Sequence, residues 1–375
     1  MQYRPFGKLG FEVSALGFGA MRLPTKGNGG EVDAPLAIEM IRHAIDHGVS
    51  YVDTAWPYHG GQSERVVGEA LRNGYRERVK LATKLPSWEI KSPDDCDRIL
   101  ETQLARLQTG RVDLYLLHCV NRAFWANLQG AGVLDWAERA KADGRIGEVG
   151  FSFHDDFDFF REVVDAYDWP MCQIQYNLVG ESVQAGTQGL KYAAERGLAV
   201  VIMEPLSGGT LANPPEPVRA VWDSAGPAEP VDLALRWLWD KPEVAVVLSG
   251  MSAPAHVRQN LDIASRSGVG TLTAAERELI ARVQAKYREL SPIPCTKCGY
   301  CKPCPNGVDI PRNFEVFNAA AVLKGPTAVL NRNLYHLMPA SERAAACVQC
   351  RECEEKCPQH IAVADTLARV KDEFA

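Results

Sequence analysis

The sequence predicts an α/β protein in two parts, a (β/α)8 barrel over residues 1–290 and a small helical, cysteine-rich domain over 291–375. Three observations carry this. Between Val13 and Arg266, short β-branched runs alternate with helix-length amphipathic segments, eight times over. Repeated β–α units imply a parallel sheet covered by helices, and eight of them favour closure into a barrel over an open doubly wound sheet. Beyond that alternation, eight of the eleven cysteines crowd into residues 295–357 at two- and three-residue gaps.

Taken in order, "YRPFGKLGFEV" has two short extended runs around Gly7 and Lys8, which predicts a hairpin closing the barrel bottom. The barrel strands are "VSALGFG", "SYVDTA", "VKLATK", "VDLYLLH", "IGEVGFS", "MCQIQYN", "LAVVIM" and "EVAVVLS". Between the first two, "PLAIEMIRHAIDHG" has apolar residues at helical spacing and stops at Gly48. "GFGAMR" begins like a dinucleotide fingerprint, but its third glycine is Arg22 and a loop follows, so it reads as a strand running into its loop. The Pro-rich stretch 213–230 is predicted as a loop after the seventh strand, "AAERELIARVQAKYREL" as a helix, and "SPIP" as the boundary to the cysteine-rich part.

A formal net charge of −6 argues against nucleic acid or an anionic membrane as partner, since both need a basic surface. No apolar run reaches the roughly 18 residues a bilayer span requires. The start, "MQYRPFGKLG", has no apolar core of a signal peptide, so the expected location is the cytoplasm. In a reducing compartment, closely spaced cysteines read as metal ligands and not as disulfides. Cys96, Cys119 and Cys172 are scattered and read as small buried hydrophobes.

Barrels place chemistry where strands end at the top face. Those ends carry Asp53, Lys84 and His118, with Tyr58 in the loop after Asp53. "YVDTAWPYHGGQSERVVGEAL", "LATKLP", "VDLYLLH" and "GEVGFS" together make the chain similar to the aldo-keto reductase family, over roughly residues 3–266. The resemblance implies a TIM barrel, an NAD(P)-dependent carbonyl reduction or its reverse on a small molecule, and a catalytic tetrad of Asp53, Tyr58, Lys84 and His118. The chemistry asks for such residues. Reducing a carbonyl needs a proton on oxygen, and a phenol at about pKa 10 is expected to be brought toward working pH by Lys84⁺. Asp53 would hold Lys84 charged, and His118 would donate to the carbonyl oxygen as charge develops.

The resemblance also implies the cofactor positions. Ser152 and Gln175 match the residues that hold the nicotinamide carboxamide, although the Asn that usually follows the Ser is Phe153. Met203 stands where a ring-stacking Tyr is common. Pro205, Leu206 and Gly208, in "PLSGG", match a pyrophosphate loop, where glycines let backbone N–H groups approach phosphate. Gly19 and Met21, at the end of the first strand, are assigned to the cofactor too. At the adenosine end the usual basic residues are replaced by Gly250 and His256, leaving Ser252, Arg258, Gln259 and Asn260. The cofactor is therefore NADP, the family default, or NAD.

"CVQCRECEEKCP" is C-x2-C-x2-C-x3-C-P, the bacterial ferredoxin pattern, whose last cysteine ligates the other cluster in two-cluster proteins. "CTKCGYCKPCP" is one residue shorter between its last two cysteines. Cross-ligation puts Cys295, Cys298, Cys301 and Cys357 on one [4Fe–4S] cluster and Cys347, Cys350, Cys353 and Cys304 on the other. A single cluster on the second run is the alternative, and zinc a further one. The tail resembles the ferredoxin-like extension of a subset of aldo-keto reductases. Three roles compete for it: a staple for a part too small to fold on its own core, an electron path to an external carrier, or a docking or sensing module. Lys297, Lys302, Arg351 and Lys356, interleaved with the cysteines, are compatible with an acidic redox carrier and equally with plain solvation.

Overall fold

The computed structural model of the chain describes residues 1–27, 30–226, 229–295, 297, 299–322, 326–357 and 359–375. It divides into two compact units, residues 1–205 with 234–272, and residues 206–233 with 273–375. The second unit takes in helix Ala274–Glu289, which the sequence reading had grouped with the barrel.

In the first unit, β1 (Tyr3–Pro5) and β2 (Glu12–Ser14) form the expected antiparallel hairpin. Its side chains plug the barrel bottom: Phe6 and Val13 are fully buried in the barrel core, with Leu9 and Phe11 packed against it. Gly7, at φ +54, must be a glycine, because a Cβ would come within 2.5 Å of the Gly197 carbonyl and the Ala199 nitrogen. The buried Arg4 guanidinium donates to the carbonyls of Lys241 at 3.0 Å and Val244 at 2.6 Å, tying the hairpin to the entry of the last strand.

All eight predicted barrel strands are present: β3 (Leu16–Gly19), β4 (Tyr51–Asp53), β5 (Lys80–Pro86), β6 (Val112–Val120), β7 (Ile146–Phe153), β8 (Met171–Gln175), β9 (Ala199–Met203) and β10 (Val244–Ser249). They pair in parallel and in chain order, and β10 closes the ring on β3. Side chains alternate across a strand, so every second residue points inward. The lower interior is apolar, built from Tyr51, Ala82, Leu114, Leu116, Met171, Ala199 and Val201. One inward step further along these strands stand Asp53, Lys84, His118, Gln173 and Met203. The functional side chains are the next rung of the same ladder.

In the second unit, the stretch expected to be a loop contains helix Glu216–Asp223. Prolines are tolerated in a helix's first turn, where an N–H would be unpaired anyway, and buried Val218 and Trp222 give the helix an apolar face. Helix Ala274–Glu289, opened by a Thr273/Glu276 capping box, packs on it. Helices Ile310–Val322, Pro326–Leu337 and Val363–Glu373 contribute Phe314, Phe317, Tyr335, Leu367 and Val370 to a separate apolar core. Fully buried Asn313 crosses this unit, donating to the carbonyls of Asp309 (2.7 Å) and Glu342 (2.8 Å) and accepting from the Ala344 nitrogen (2.7 Å). Among the described residues no helix is long and apolar enough to cross a membrane.

Candidate active site and cysteine module

Three adjacent strands and one loop bring the four predicted polar groups together. Lys84 Nζ donates to Asp53 Oδ1 at 2.6 Å, to the Thr54 carbonyl at 2.9 Å and to Tyr58 Oη at 3.4 Å. The ion pair is dry, with side chains 1% and 3% exposed. The Tyr58 ring meets His118 edge-on, with centroids 5.9 Å apart. The His118 Nδ1 is buried and has no hydrogen-bond partner among the described residues.

Charge states follow from burial. Burial alone would lower Lys84, but the Asp53 carboxylate and Tyr58 outweigh it, so the ammonium is held above its ordinary range. Burial pushes His118 well below the usual imidazole value, helped by Lys84 and His154, and the ring stays neutral. Tyr58 departs from expectation: burial raises the phenol further than Lys84 lowers it. The resting group is therefore a neutral acid with its proton in place. Desolvation of the phenolate wins because a single ammonium at 3.4 Å is shared with Asp53 and Thr54.

Behind the Lys84 backbone lies a buried network that sequence reading missed. Glu64, with no exposed side-chain surface, accepts from Thr83 Oγ1 (2.8 Å), Gln103 Nε2 (2.6 Å) and Arg106 Nη1 (3.0 Å). Gln103 Nε2 also reaches the Lys84 carbonyl at 3.0 Å, and Tyr115 Oη donates to Gln103 Oε1 at 2.6 Å. The network fixes the strand that presents Lys84. Its only sequence signal was an acid in the first turn of the helix "QSERVVGEA", where an exposed acid is equally at home.

The cofactor candidates of the first unit occupy the upper strand ends. Ser152 Oγ accepts from the Cys119 nitrogen at 2.9 Å, which leaves its own proton to give. Gln175 Oε1 accepts from Gln184 Nε2 at 2.9 Å, which leaves the Gln175 amide N–H groups. A carboxamide needs such a donor, so both residues fit it. Phe153 does not: it is fully buried and packs on Phe159 and Phe160, on the opposite face of the strand from Ser152. Met203 and Pro205 end and follow β9, and Gly19 ends β3 with Met21 47% exposed just beyond. Ser252 Oγ lies 3.5 Å from His256 Nδ1, and Gln259 is exposed. Asn260 is buried and gives its amide to Ser249 Oγ at 2.7 Å. In the second unit, Leu206 and Gly208 belong to a tight turn with Ser207 at φ +47 and Gly208 at φ +62. The Ser207 hydroxyl there is buried without a partner among the described residues, as a phosphate cradle would leave it.

Of the aromatic residues near the top face, Trp88 sits 5.2 Å from His118 and 6.2 Å from Phe124 between ring centroids. Trp125 is 6% exposed and packs on Trp169, while Trp56 lies under the Arg106 guanidinium and donates to Glu89. Of these four, Trp88 stands beside His118 and Phe124 packs against Trp88.

In the cysteine module, Cys298 lies outside the described residues. Cys295, Cys301 and Cys357 line one pocket with Ile310, Phe314 and Ile361. Three of the four cysteines grouped by cross-ligation thus share an apolar cavity, although Cys357 is 56 positions from Cys301 in the chain. Cys347 and Cys350 both act electrostatically on Cys353, and Cys304 packs against the same core as Cys347. Among the described residues no three His, Cys, Asp or Glu side chains close to metal-binding distance. Three of the four interleaved cations are engaged locally: Lys297 with Glu315 (3.0 Å), Lys302 with Asp309 (2.8 Å) and Arg351 with Asp365 (2.7 Å).

Residues 15–275 match the model of the aldo/keto reductase family, and residues 294–362 match that of the 4Fe-4S dicluster domain. The NADH-specific methylglyoxal reductase of Escherichia coli is 26% identical over 311 residues, 70% of this chain and 93% of that protein. Among solved structures, the holo form of an aldo-keto reductase from Bacillus halodurans superposes with a TM-score of 0.65 at 26% identity, covering 76% of this chain and 96% of its own. An aldo-keto reductase from Klebsiella pneumoniae in complex with NADPH gives 0.61 at 25% identity, with the same two coverages.

Proposed function

The chain belongs to the aldo/keto reductase family, and from that premise we propose that it interconverts an aldehyde or ketone and the corresponding alcohol with NAD(P)H. The observation that carries the reading is the convergence of Lys84 Nζ, Tyr58 Oη and the His118 ring at the top of the barrel. When bound, the nicotinamide supplies the hydride that the carbonyl carbon takes. The protein's part concerns the oxygen. Tyr58, kept protonated by burial, gives its proton to that oxygen, and Lys84 steadies the phenolate left behind. Neutral His118 has a ring N–H to donate to the same oxygen as it gains charge. Asp53 keeps Lys84 cationic through the cycle. In balance, one carbonyl, one NAD(P)H and one proton become one alcohol and one NAD(P)⁺. Ser152 and Gln175 would hold the carboxamide. Ser252, His256, Arg258 and Gln259 would meet the adenosine.

For the tail we propose two cross-ligated [4Fe–4S] clusters, supported by the pocket that Cys295 and Cys301 share with Cys357. Such clusters supply one-electron transfer and structural cross-linking. Their role here is auxiliary to the barrel's chemistry. The apolar core of Phe314, Phe317 and Leu367 weakens the idea that they substitute for a missing core, and the local ion pairs weaken carrier docking through Lys297, Lys302 and Arg351. A reducing cytoplasm suits thiolate ligands.

The test is Tyr58→Phe. NAD(P)H-dependent turnover of aldehydes should fall by about 10²–10⁴ with far-ultraviolet circular dichroism and the brown cluster colour unchanged. Turnover that survived would remove Tyr58 from the chemistry.

A further inference from the structure

Tyr58 stands in a segment, residues 55–61, whose backbone needs support from outside. His59, Gly60 and Gly61 follow it in left-handed conformation, at φ +51, +62 and +85. For His59 that region is unfavourable, and such residues persist only where their surroundings impose them. Within the segment the Tyr58 nitrogen donates to the Ala55 carbonyl at 3.2 Å, and the Gly60 nitrogen to the Pro57 carbonyl at 3.1 Å. Two ties run to neighbouring loops: His59 Nε2 accepts from the Leu23 nitrogen at 3.1 Å, and Trp56 Nε1 donates to Glu89 Oε1 at 2.9 Å. A further tie runs back toward Lys84, through Arg106.

Arg106 lies in the last turn of helix Pro93–Leu107. Its guanidinium covers the Trp56 ring, 4.0 Å from the centroid. It also lies against Gly61, where a Cβ would meet Cζ, Nη1 and Nη2 alike at 3.3 Å. Equal distances to three atoms of one plane put the glycine over the face of that plane. One flat cation therefore touches the segment on either side of Tyr58. Nη1 of the same group donates to Glu64 Oε2 at 3.0 Å, and the Glu64 side chain is wholly buried. Glu64 is bonded in turn to Thr83 and Gln103, and Gln103 Nε2 donates to the Lys84 carbonyl at 3.0 Å. A continuous set of contacts thus leads from both sides of Tyr58 to the backbone that carries Lys84. The distance it governs has little slack. At 3.4 Å, the bond from Lys84 Nζ to Tyr58 Oη is the longest of the three that Lys84 makes. A hydrogen bond stretched to about 3.6 Å is no longer one.

We propose that Arg106 is a positioning residue for the proton donor: it braces the segment around Tyr58 against the Glu64 network, and so keeps Tyr58 Oη within bonding distance of Lys84 Nζ. This rests on the carbonyl-reductase reading above. Arg106 acts through Tyr58 and takes no part in the proton transfer. Its plane matters as much as its charge, because a lysine ammonium can pair with Glu64 but cannot cover Trp56 and Gly61 together.

Steady-state NAD(P)H consumption is measured on a panel of short-chain and aromatic aldehydes and ketones, and the best of them serves for the variants. Arg106→Lys keeps a cation for Glu64 and Trp56→Leu keeps the whole ion pair, so both should fold, with thermal unfolding and cluster colour near those of wild type. In each, kcat should fall about 10- to 100-fold with KM within about threefold of wild type, the pattern of an interaction felt only in the transition state. Placed in Tyr58→Phe, the same substitutions should lower the residual turnover by less than about twofold, because the group they position is gone. A merely structural role costs the same factor in both backgrounds, and that result would overturn the proposal. So would Arg106→Lys leaving kcat within about twofold of wild type while Tyr58→Phe is disabled, an outcome that spares the carbonyl-reductase reading. If Tyr58→Phe turns over as well as wild type, that reading falls and takes this one with it.

Discussion

The Asp53–Lys84 pair offers the sharpest test, because stability and chemistry should part company there. At 2.6 Å, with both side chains almost wholly buried, the attraction is about 6 kcal/mol for an effective dielectric near 20. Most of that offsets the cost of taking two charges out of water, so the pair is worth little against an apolar replacement. Breaking it from one side is different. Lys84→Met leaves the Asp53 carboxylate buried and the Thr54 carbonyl without its donor. Asp53→Asn leaves Lys84 without its counter-charge. Each single change should cost about 3–5 kcal/mol, and the double variant should cost clearly less than the sum, within about 2 kcal/mol of wild type. Urea unfolding at neutral pH, followed by far-ultraviolet circular dichroism, measures the stabilities. In parallel, NAD(P)H consumption should fall about 10²-fold or more in all three variants, with no recovery in the double. A Lys84→Met cost below about 1 kcal/mol would refute the reasoning, since that is how an exposed pair behaves. So would a double variant that regained turnover.

Two further outcomes follow from the same site and from the tail. Carbonyl reduction needs protonated Tyr58, whose pKa is raised, so kcat/KM for the aldehyde should stay level through neutrality and fall only above about pH 10. Alcohol oxidation needs the deprotonated form and should climb with pH over the same range. His118 is shifted down and adds no break near its ordinary value. A reductive limb that fell between about pH 7 and 8 would assign the acid to another group. For the tail, anaerobically purified protein should carry about eight irons per chain if two clusters are present. Cys295→Ala and Cys357→Ala should each remove the same half, and the double variant should lose no more than either single. Additive losses would refute the cross-ligation.

The strands, the hairpin at Gly7 and the positions of Asp53, Lys84 and His118 were legible because they depend on period-two alternation and on where β-branched runs stop. The cysteine spacing was legible for a similar reason: ligand geometry is local to each run. Three things were not. Glu64 reads as an ordinary first-turn acid until its burial against Gln103 and Thr83 is seen, and burial is a tertiary property. The Pro-rich stretch concealed helix Glu216–Asp223, because prolines that break a helix interior are harmless at its start. The Tyr58 pKa was expected to fall because Lys84 is visible in the sequence and desolvation is not.

The inward ladder has a consequence for how such a protein can change. A strand acts as a ruler graduated in pairs of residues: each graduation toward the top exchanges an apolar filler for a reactive group, Tyr51 for Asp53, Ala82 for Lys84, Leu116 for His118. Inserting one residue below a reactive group would turn it out into the helical layer and bring a core side chain into the mouth. Inserting two would restore the facing but lift the group by nearly 7 Å, out of reach of partners now 2.6–3.4 Å away. New specificity is therefore confined to the loops past the last graduation, where Trp88 and Phe124 already stand.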